Sequence, residues 1–498
     1  MSWRSAPVWF AASCGLWSCG APDPELQGEP RCDALRLERP VRDANIVLIV
    51  DDTLRRDSAG VYGGRAKTPE LDRFAREHLL FENALTQAPW TKPSIATLFT
   101  SLYPSQHGVA WGPQAPGDKQ RQRPLLEVDL LAESFVTLAE LLRDGGLETA
   151  AFVANPWLEG RYGFAQGFEL YDDSSARWGA SGDDAVDAAL AWLAARDPGR
   201  PFFLYVHLME SHAPYGRIDA AAADAVRKRV NKDRYPIGLE GQVIFDDLTL
   251  SDDTPLSQAG FVPTRALIRT VYRLGVERFD HLLGRLLTGL RGSDGWHRTA
   301  VIVTSDHGEA LFERGYGSHG HGLYDDEAGI PLVARLPGVE PATGSVDCLV
   351  GLIDLLPTLV SYLGIDIPAE VEGWSFVSPS GSETQDDRRF LVTEGLMKNP
   401  GHRSIRNRNF KLMYEPDGRR DGRKTSGPWS LFHVSNDPEE RLDLSLEIHD
   451  NPRVKRVFDA LQRELRDAVP DFDTPRAERA PIDPQTRQRL GSLGYLRE

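Results

Sequence analysis

Asn45-Ile-Val-Leu-Ile-Val50 runs directly into Asp51-Asp52, and that junction decides how the rest of the chain is read. An apolar run without polar alternation suits a strand covered on both faces, as in a parallel sheet sandwiched between helices. Two adjacent carboxylates at the end of such a strand repel each other and lose hydration, which is tolerable chiefly with a cation between them. The plainer alternative is a solvated turn with helix-capping aspartates. Because ligands in open α/β sheets gather at the carboxyl ends of strands, the polar residues after other apolar runs are the next to inspect.

Working outward, comparable runs occupy residues 149–153, 202–208, 300–303 and 330–334. Between them, residues 135–142, 183–195 and 265–290 carry Leu, Val and Phe at three- and four-residue spacing, the amphipathic helix pattern. Strands alternating with helices predict an α/β fold, a doubly wound and mostly parallel sheet with helices on both faces. The catalytic domain is expected over residues 43–375. Beyond it the texture becomes polar, then strand-like at 389–393 and 410–414, with a charged hairpin or loop at 417–426. A helix is expected over 451–469, with Asn451 as cap and Pro452 at its first position. Residues 388–498 are therefore read as a smaller C-terminal α+β subdomain.

The chain has 498 residues, 41% of them hydrophobic, enough to bury a large core. Acidic residues outnumber basic ones 73 to 57, for a net charge of -16, which argues against nucleic acid as a partner. Arg4 followed by an apolar stretch reads as an export leader over residues 1–19, too short to span a bilayer. Leu16-Trp17-Ser18-Cys19 resembles a bacterial lipoprotein processing site, which predicts membrane attachment through lipidated Cys19 and a periplasmic or membrane-anchored location. Residues 20–42 read as a tether. Two of the four cysteines lie in the leader; Cys32 and Cys348 remain, bridged or free.

Three further elements carry chemistry. The 300–303 run ends in Thr304-Ser305-Asp306-His307-Gly308-Glu309, which offers an oxygen and a nitrogen ligand at one turn. A plain polar turn is the alternative there, but with Asp51 and Asp52 the group makes a four-ligand cage. Pro89-Trp90-Thr91-Lys92-Pro93-Ser94 opens a helical pattern with Thr91 near the N-cap. Free N–H groups and the positive end of the dipole at such a terminus suit a phosphate or sulfate ester, and a hydroxyl facing a cation there is a candidate nucleophile. A simple capping threonine is the alternative. His207 with His212, and His319 with His321, form two close pairs suited to anion contacts, leaving-group acids or a second metal site.

Taken in order, Asn45 to Gly63, Thr68 to Phe74, Thr91-Lys-Pro-Ser94, Leu102 to Gly108, Ser305-Asp-His-Gly-Glu309 and Ile353 to Leu359 resemble the sulfatase family of the alkaline phosphatase superfamily. The resemblance runs on to Phe410-Lys-Leu412 and Asn436 to Glu440. It implies one divalent metal ion (zinc, manganese or calcium) held by Asp51, Asp52, Asp306 and His307, with the nucleophile at position 91. It also implies that Arg55 orients the nucleophile and that His207 or His212 and His321 touch the ester oxygens or protonate the leaving group.

One departure from the family pattern matters. Family sulfatases carry Cys or Ser, converted to formylglycine, then Pro two residues on and Arg two further; here Thr91 and Ile95 stand at the first and last of these places. Threonine would oxidise to a ketone. A threonine nucleophile is what the related nucleotide pyrophosphatases/phosphodiesterases and phosphoethanolamine transferases use. The leading reading is thus a metal-dependent hydrolase or transferase acting on a phosphate or sulfate ester of a small molecule, lipid or glycan, through a covalent Thr91 intermediate with Thr91 also a metal ligand. A conventional sulfuric ester hydrolase and a catalytically silent metal-containing binding protein are the alternatives.

Overall fold

A computed structural model describes residues 35–110, 127–176, 182–213, 261–379, 390–396, 399–416, 418–420, 423–424, 427–469, 479–481 and 484. The expected leader and Cys19 lie outside these residues, as do most of the loops at 174–182 and 219–263 and the expected tether up to residue 34. The last part of that tether, residues 35–42, is instead folded onto the domain, because Leu35 and Leu37 are buried in the main core and Arg36–Leu37 pairs with Val339–Glu340 and Ser378–Pro379. Cys348 is disulfide-bonded.

Eight strands form the central sheet: β1 Asn45–Asp51, β2 Leu79–Leu85, β3 Glu148–Val153, β4 Leu170–Asp172, β5 Phe202–Leu208, β6 Thr299–Thr304, β7 Leu332–Arg335 and β8 Gly344–Gly351. Their spatial order is β8-β2-β7-β6-β1-β5-β3-β4. All neighbours are parallel except β7, which runs antiparallel to both β2 and β6. The run expected from residue 330 starts its pairing at Leu332, because Pro331 has no N–H to give the ladder.

All seven residues of β1 are buried, and they alternate between two cores. Ile46, Leu48 and Val50 pack with Phe99, Leu142 and Leu359; Val47 and Ile49 pack with Phe74, Val186 and Phe279. The first set comes from helices α2 Thr91–Thr100, α3 Leu138–Asp144 and α6 Leu355–Leu363, the second from α1 Pro69–Glu77, α4 Gly182–Ala195 and α5 Phe261–Arg291. Apolar residues at every position of β1 are thus the consequence of helices on both faces. The helix expected from residue 135 begins after Thr137, whose hydroxyl accepts from the Glu140 amide while the Glu140 carboxylate receives the Thr137 N–H.

A second sheet is antiparallel throughout: β9 Leu391–Glu394, β10 Arg403–Arg406, β11 Lys411–Tyr414 and β12 Trp429–Phe432, in that order. Helix α7, Pro452–Ala468, lays Val457, Leu461 and Leu465 on Val392, Ile405 and Leu412. Asn451 caps it, accepting from the Arg453 and Val454 amides. The charged 417–426 stretch contains a short antiparallel pair, Arg419–Arg420 against Arg423–Lys424. Lys411 of this sheet reaches back to Asp325 and Glu440, at 2.7 and 2.6 Å, Glu440 being buried with it and Asp325 partly so.

Candidate active site

Strands β6, β1, β5 and β3 lie side by side, and each delivers polar residues from its carboxyl end to one place. β1 ends in Asp51 and continues into Asp52; β6 leads to Asp306 and His307; β5 carries His207 and leads to His212; β3 leads to Asn155. The nucleophile candidate arrives separately, at the first position of α2 with Trp90 as its N-cap. Ser94 fastens that helix to the site by donating to the Asp306 carbonyl at 2.6 Å.

The loop after β1 is strained and pinned. Thr53 adopts a left-handed φ of 63°, a conformation side chains with a branched β-carbon rarely take without support. The support is local: the Thr53 amide donates to Asp306 Oδ1, its carbonyl accepts from the Tyr272 hydroxyl at 2.8 Å, and Leu54 donates to Ser305 Oγ. Ser305 in turn donates to the Asp51 carbonyl at 2.7 Å. The ends of β1 and β6 are therefore stitched together at their backbones.

Asp52, Asp306 and His307 offer three ligand atoms that all lie within 4.8 Å of one another, every one buried. His307 Nδ1 lies 2.8 Å from the Gly308 carbonyl, which can only accept, so the proton sits there and Nε2 presents its lone pair. Nε2 faces Asp52 Oδ1 at 3.6 Å and Asp306 Oδ2 at 3.4 Å. Those same two oxygens are buried without a hydrogen-bond partner. A lone pair and two orphaned carboxylate oxygens aimed at one point are unfavourable alone and suited to a cation. The residues present thus fit a divalent metal.

Electrostatics agree with the geometry. Burial alone would raise the Asp52 carboxyl, but the charge of His212 and the hydrogen bond from His207 hold it well below the usual range. Burial, and then the charge of Asp52, push Asp306 well above it. Burial keeps the His307 imidazole neutral, below its ordinary value.

Thr91 Oγ1 donates to Asp52 Oδ2 at 3.2 Å and lies 3.3 Å from His307 Nε2, fully buried. His207 Nε2 approaches the same Asp52 oxygen at 3.4 Å, its Nδ1 being 2.8 Å from the Tyr205 hydroxyl. Asp51 is placed differently from its neighbour: its two oxygens accept from the Glu210 amide at 3.0 Å and the Ser211 hydroxyl at 2.6 Å, and it stands outside the Asp52, Asp306, His307 group. Arg55, expected to orient the nucleophile, turns its guanidinium to Asp57, to Glu313 at 2.9 Å and to the Glu309 carbonyl at 2.9 Å. It braces the 306–313 turn.

Of the second histidine pair, His319 is the ring that packs on His307, with centroids 4.6 Å apart, and on His212 at 5.1 Å. Glu309 Oε2 lies 2.9 Å from its Nδ1. His321 instead sits against Tyr316, centroids 5.1 Å apart, and its amide donates to Glu327. The sequence offers both histidines and the family resemblance implies His321; nothing in the Gly317-Ser-His-Gly-His-Gly322 string says which ring turns inward. Asn155 is a further residue at the site that the sequence reading does not name; a polar residue two positions past the 149–153 run is the signal for it. Asn155 Nδ2 donates to Asp52 Oδ2 at 2.5 Å and lies 3.4 Å from Thr91 Oγ1.

A doubly wound sheet with a buried carboxylate and imidazole cluster at its carboxyl edge defines an α/β enzyme of the alkaline phosphatase type. Residues 44–365 match the sulfatase family model, and residues 317–470 match the C-terminal model of N-sulphoglucosamine sulphohydrolase. The chain belongs to the sulfatase family of ester hydrolases. Among its relatives, an endo-4-O-sulfatase of Bacteroides thetaiotaomicron is 23% identical, covering 84% of this chain and 88% of its own length. An arylsulfatase of Clostridium perfringens is 25% identical over 84% of this chain and 94% of its own. Two solved structures share the fold. One, bound to its substrate D-glucosamine-2-N,6-O-disulfate, superposes with a TM-score of 0.67 at 18% identity, over 87% of this chain and 99% of that one. The other, the phosphonate monoester hydrolase of Agrobacterium radiobacter, gives 0.58 at 22% identity over 86% and 95%. Enzymes of this family use a divalent metal, and Asp52, Asp306 and His307 form the candidate site for it.

Proposed function

We propose that the chain cleaves phosphate or sulfate esters through a covalent ester on Thr91. The observation that carries this reading is the Thr91 hydroxyl, buried at the start of α2 and hydrogen-bonded to Asp52 at 3.2 Å. Asp52, Asp306 and His307 would hold the metal, with Asp51 and Thr91 as the further ligands implied by the family resemblance; the imidazole in the set favours zinc or manganese over calcium. A bound divalent ion supplies Lewis acidity, lowering the pKa of a neighbouring hydroxyl and polarising the ester oxygens.

The chain's own residues do the rest. The Thr91 proton leaves along the hydrogen bond to Asp52 while Oγ1 bonds to phosphorus or sulfur. The bond to the leaving oxygen breaks, and that oxygen takes a proton from an imidazole of the site, where His212 packs on His319. Attack by water on the Thr91 ester then gives hydrolysis; attack by an alcohol gives transfer. The N-terminus of α2 turns its positive dipole end toward the anionic group.

A conventional sulfuric ester hydrolase is the second reading, favoured by the endo-4-O-sulfatase and arylsulfatase relatives. Thr91→Ala, assayed on an aryl phosphodiester and an aryl sulfate, tests the first. Loss of turnover on whichever ester is accepted supports a Thr91 nucleophile, and wild-type turnover removes it. Export with lipid attachment at Cys19 is also proposed, on the Leu16-Trp17-Ser18-Cys19 sequence. Labelled palmitate incorporated by the native chain and lost in Cys19→Ala would support it; a native chain that takes up no label would refute it.

A further inference from the structure

We infer that Asn155 is a catalytic residue: its side-chain amide holds Thr91 Oγ1 and stabilises the charge that oxygen develops. The inference rests on the Thr91 reading above. The Asn155 side-chain carbonyl accepts from the Trp157 amide at 2.7 Å, which fixes which end of the group is oxygen. The NH2 end therefore points at Asp52 Oδ2 and Thr91 Oγ1, at 2.5 and 3.4 Å, in a site that is 0% exposed at all three residues. Its two hydrogens have two acceptors.

The packing behind it keeps this geometry. Trp157 stands edge to face against Trp90, centroids 5.7 Å apart at 88°, and Trp90 is the residue that precedes Thr91. The turn after β3 and the start of α2 are thus locked to each other through two indoles, so the amide and the hydroxyl cannot drift apart independently. Lys92, the nearest cation in sequence, points elsewhere, its ammonium on the Asp129 carbonyl and over the Tyr162 ring at 4.6 Å.

A neutral amide suits both halves of the reaction. While the Thr91 proton is passing to Asp52, the oxygen keeps a donor that strengthens as negative charge grows. When the Thr91 ester is broken, the same donor receives the departing oxygen. Asn155 should therefore speed both formation and breakdown of the ester, with little effect on substrate binding.

Asn155→Ser is the informative variant, since serine can still accept from the Trp157 amide but is too short to reach Thr91. Asn155→Ala serves as the control that loses both. On whichever of 4-nitrophenyl sulfate and bis(4-nitrophenyl) phosphate the native enzyme turns over, both variants should lose about 10²-fold in kcat. KM should stay within about threefold, as expected when an interaction belongs to the transition state, and rapid-quench measurement should show slower ester formation on Thr91. A purely structural role predicts that Asn155→Ser, with its cap kept, retains native kcat; that result overturns the inference. If Thr91→Ala is inactive while Asn155→Ser is native, only this inference fails. If Thr91→Ala is active, the reading beneath it fails as well.

Discussion

Thr91 and Asp52 stand thirty-nine residues apart in the chain and 3.2 Å apart in space, the hydroxyl of one on the carboxylate of the other. Asp52 follows the last residue of β1, while Thr91 opens helix α2, so the pairing depends on both elements holding their positions. Asp52→Asn keeps the shape but removes the charge that accepts the hydroxyl proton and faces His307. Its kcat should fall at least about 10²-fold, and bound metal in the purified protein, measured by plasma mass spectrometry, should fall with it. Native metal content together with native kcat would contradict both roles of Asp52.

Removal of the metal should be felt as lost stability as well as lost activity. The orphaned oxygens of Asp52 and Asp306 converge on one point, so a cation binding the folded state alone stabilises it, by about 2.7 kcal/mol at a hundredfold excess over Kd. Dialysis against a chelator should lower the melting temperature, and zinc or manganese should restore it. In Asp306→Asn the restoration should be absent. A melting temperature indifferent to chelation in the native chain would count against a metal at this cluster.

Lys92 gives a pH dependence with a definite sign. Burial pulls its ammonium down to about 7 from the ordinary 10.5, with Asp129 opposing. A base whose folded pKa is depressed favours the folded state when neutral, so stability is lost as pH falls from the unfolded value of 10.5 to the folded value of about 7, below which both states hold the proton. Lys92→Met fills similar space without a charge. The variant should lose less stability than the native chain between pH 10 and pH 7 in urea titrations; parallel curves would refute the assignment.

Lys411 ties the second sheet to the main one. Its ammonium sits on Asp325 at 2.7 Å and Glu440 at 2.6 Å, with Lys411 and Glu440 each 1% exposed. Lys411→Met leaves buried Glu440 with Arg314 and partly buried Asp325 with Arg406 and Arg56, and should cost about 1.5–3 kcal/mol, the range of a hydrogen bond to a charged group. Melting curves would show it, and Lys411→Arg should recover part of the loss. A cost under about 1 kcal/mol, the range of an exposed pair, would show the ion pair to be solvated.

Much of this was readable from residue patterns alone. The buried strands at 45–50, 149–153, 202–208 and 300–303 announced themselves because helices on both faces leave no polar position to interrupt the run. Strands β4 and β8 were missed because edge strands are half solvated: Leu170 is 40% exposed and β8 begins on exposed Gly344 and Ser345. Strand β2 was missed for a related reason, its Glu82 and Asn83 breaking the apolar texture.

The chain order of amino acids by itself determined which chemical groups terminate the buried strands, the aspartates at 51 and 52 and the aspartate and histidine at 306 and 307, and that a threonine stands at the start of the helical pattern from residue 91. Hydrophobic periodicity is local, so it can be read without folding anything. Tertiary structure alone decided which of those groups meet. Asp52 rather than Asp51 faces Asp306 and His307, His319 rather than His321 turns inward, Arg55 braces a turn, and Asn155 reaches Thr91. Such choices follow from which way each side chain leaves its backbone and what already fills the neighbouring space, and both are properties of the packed sheet as a whole.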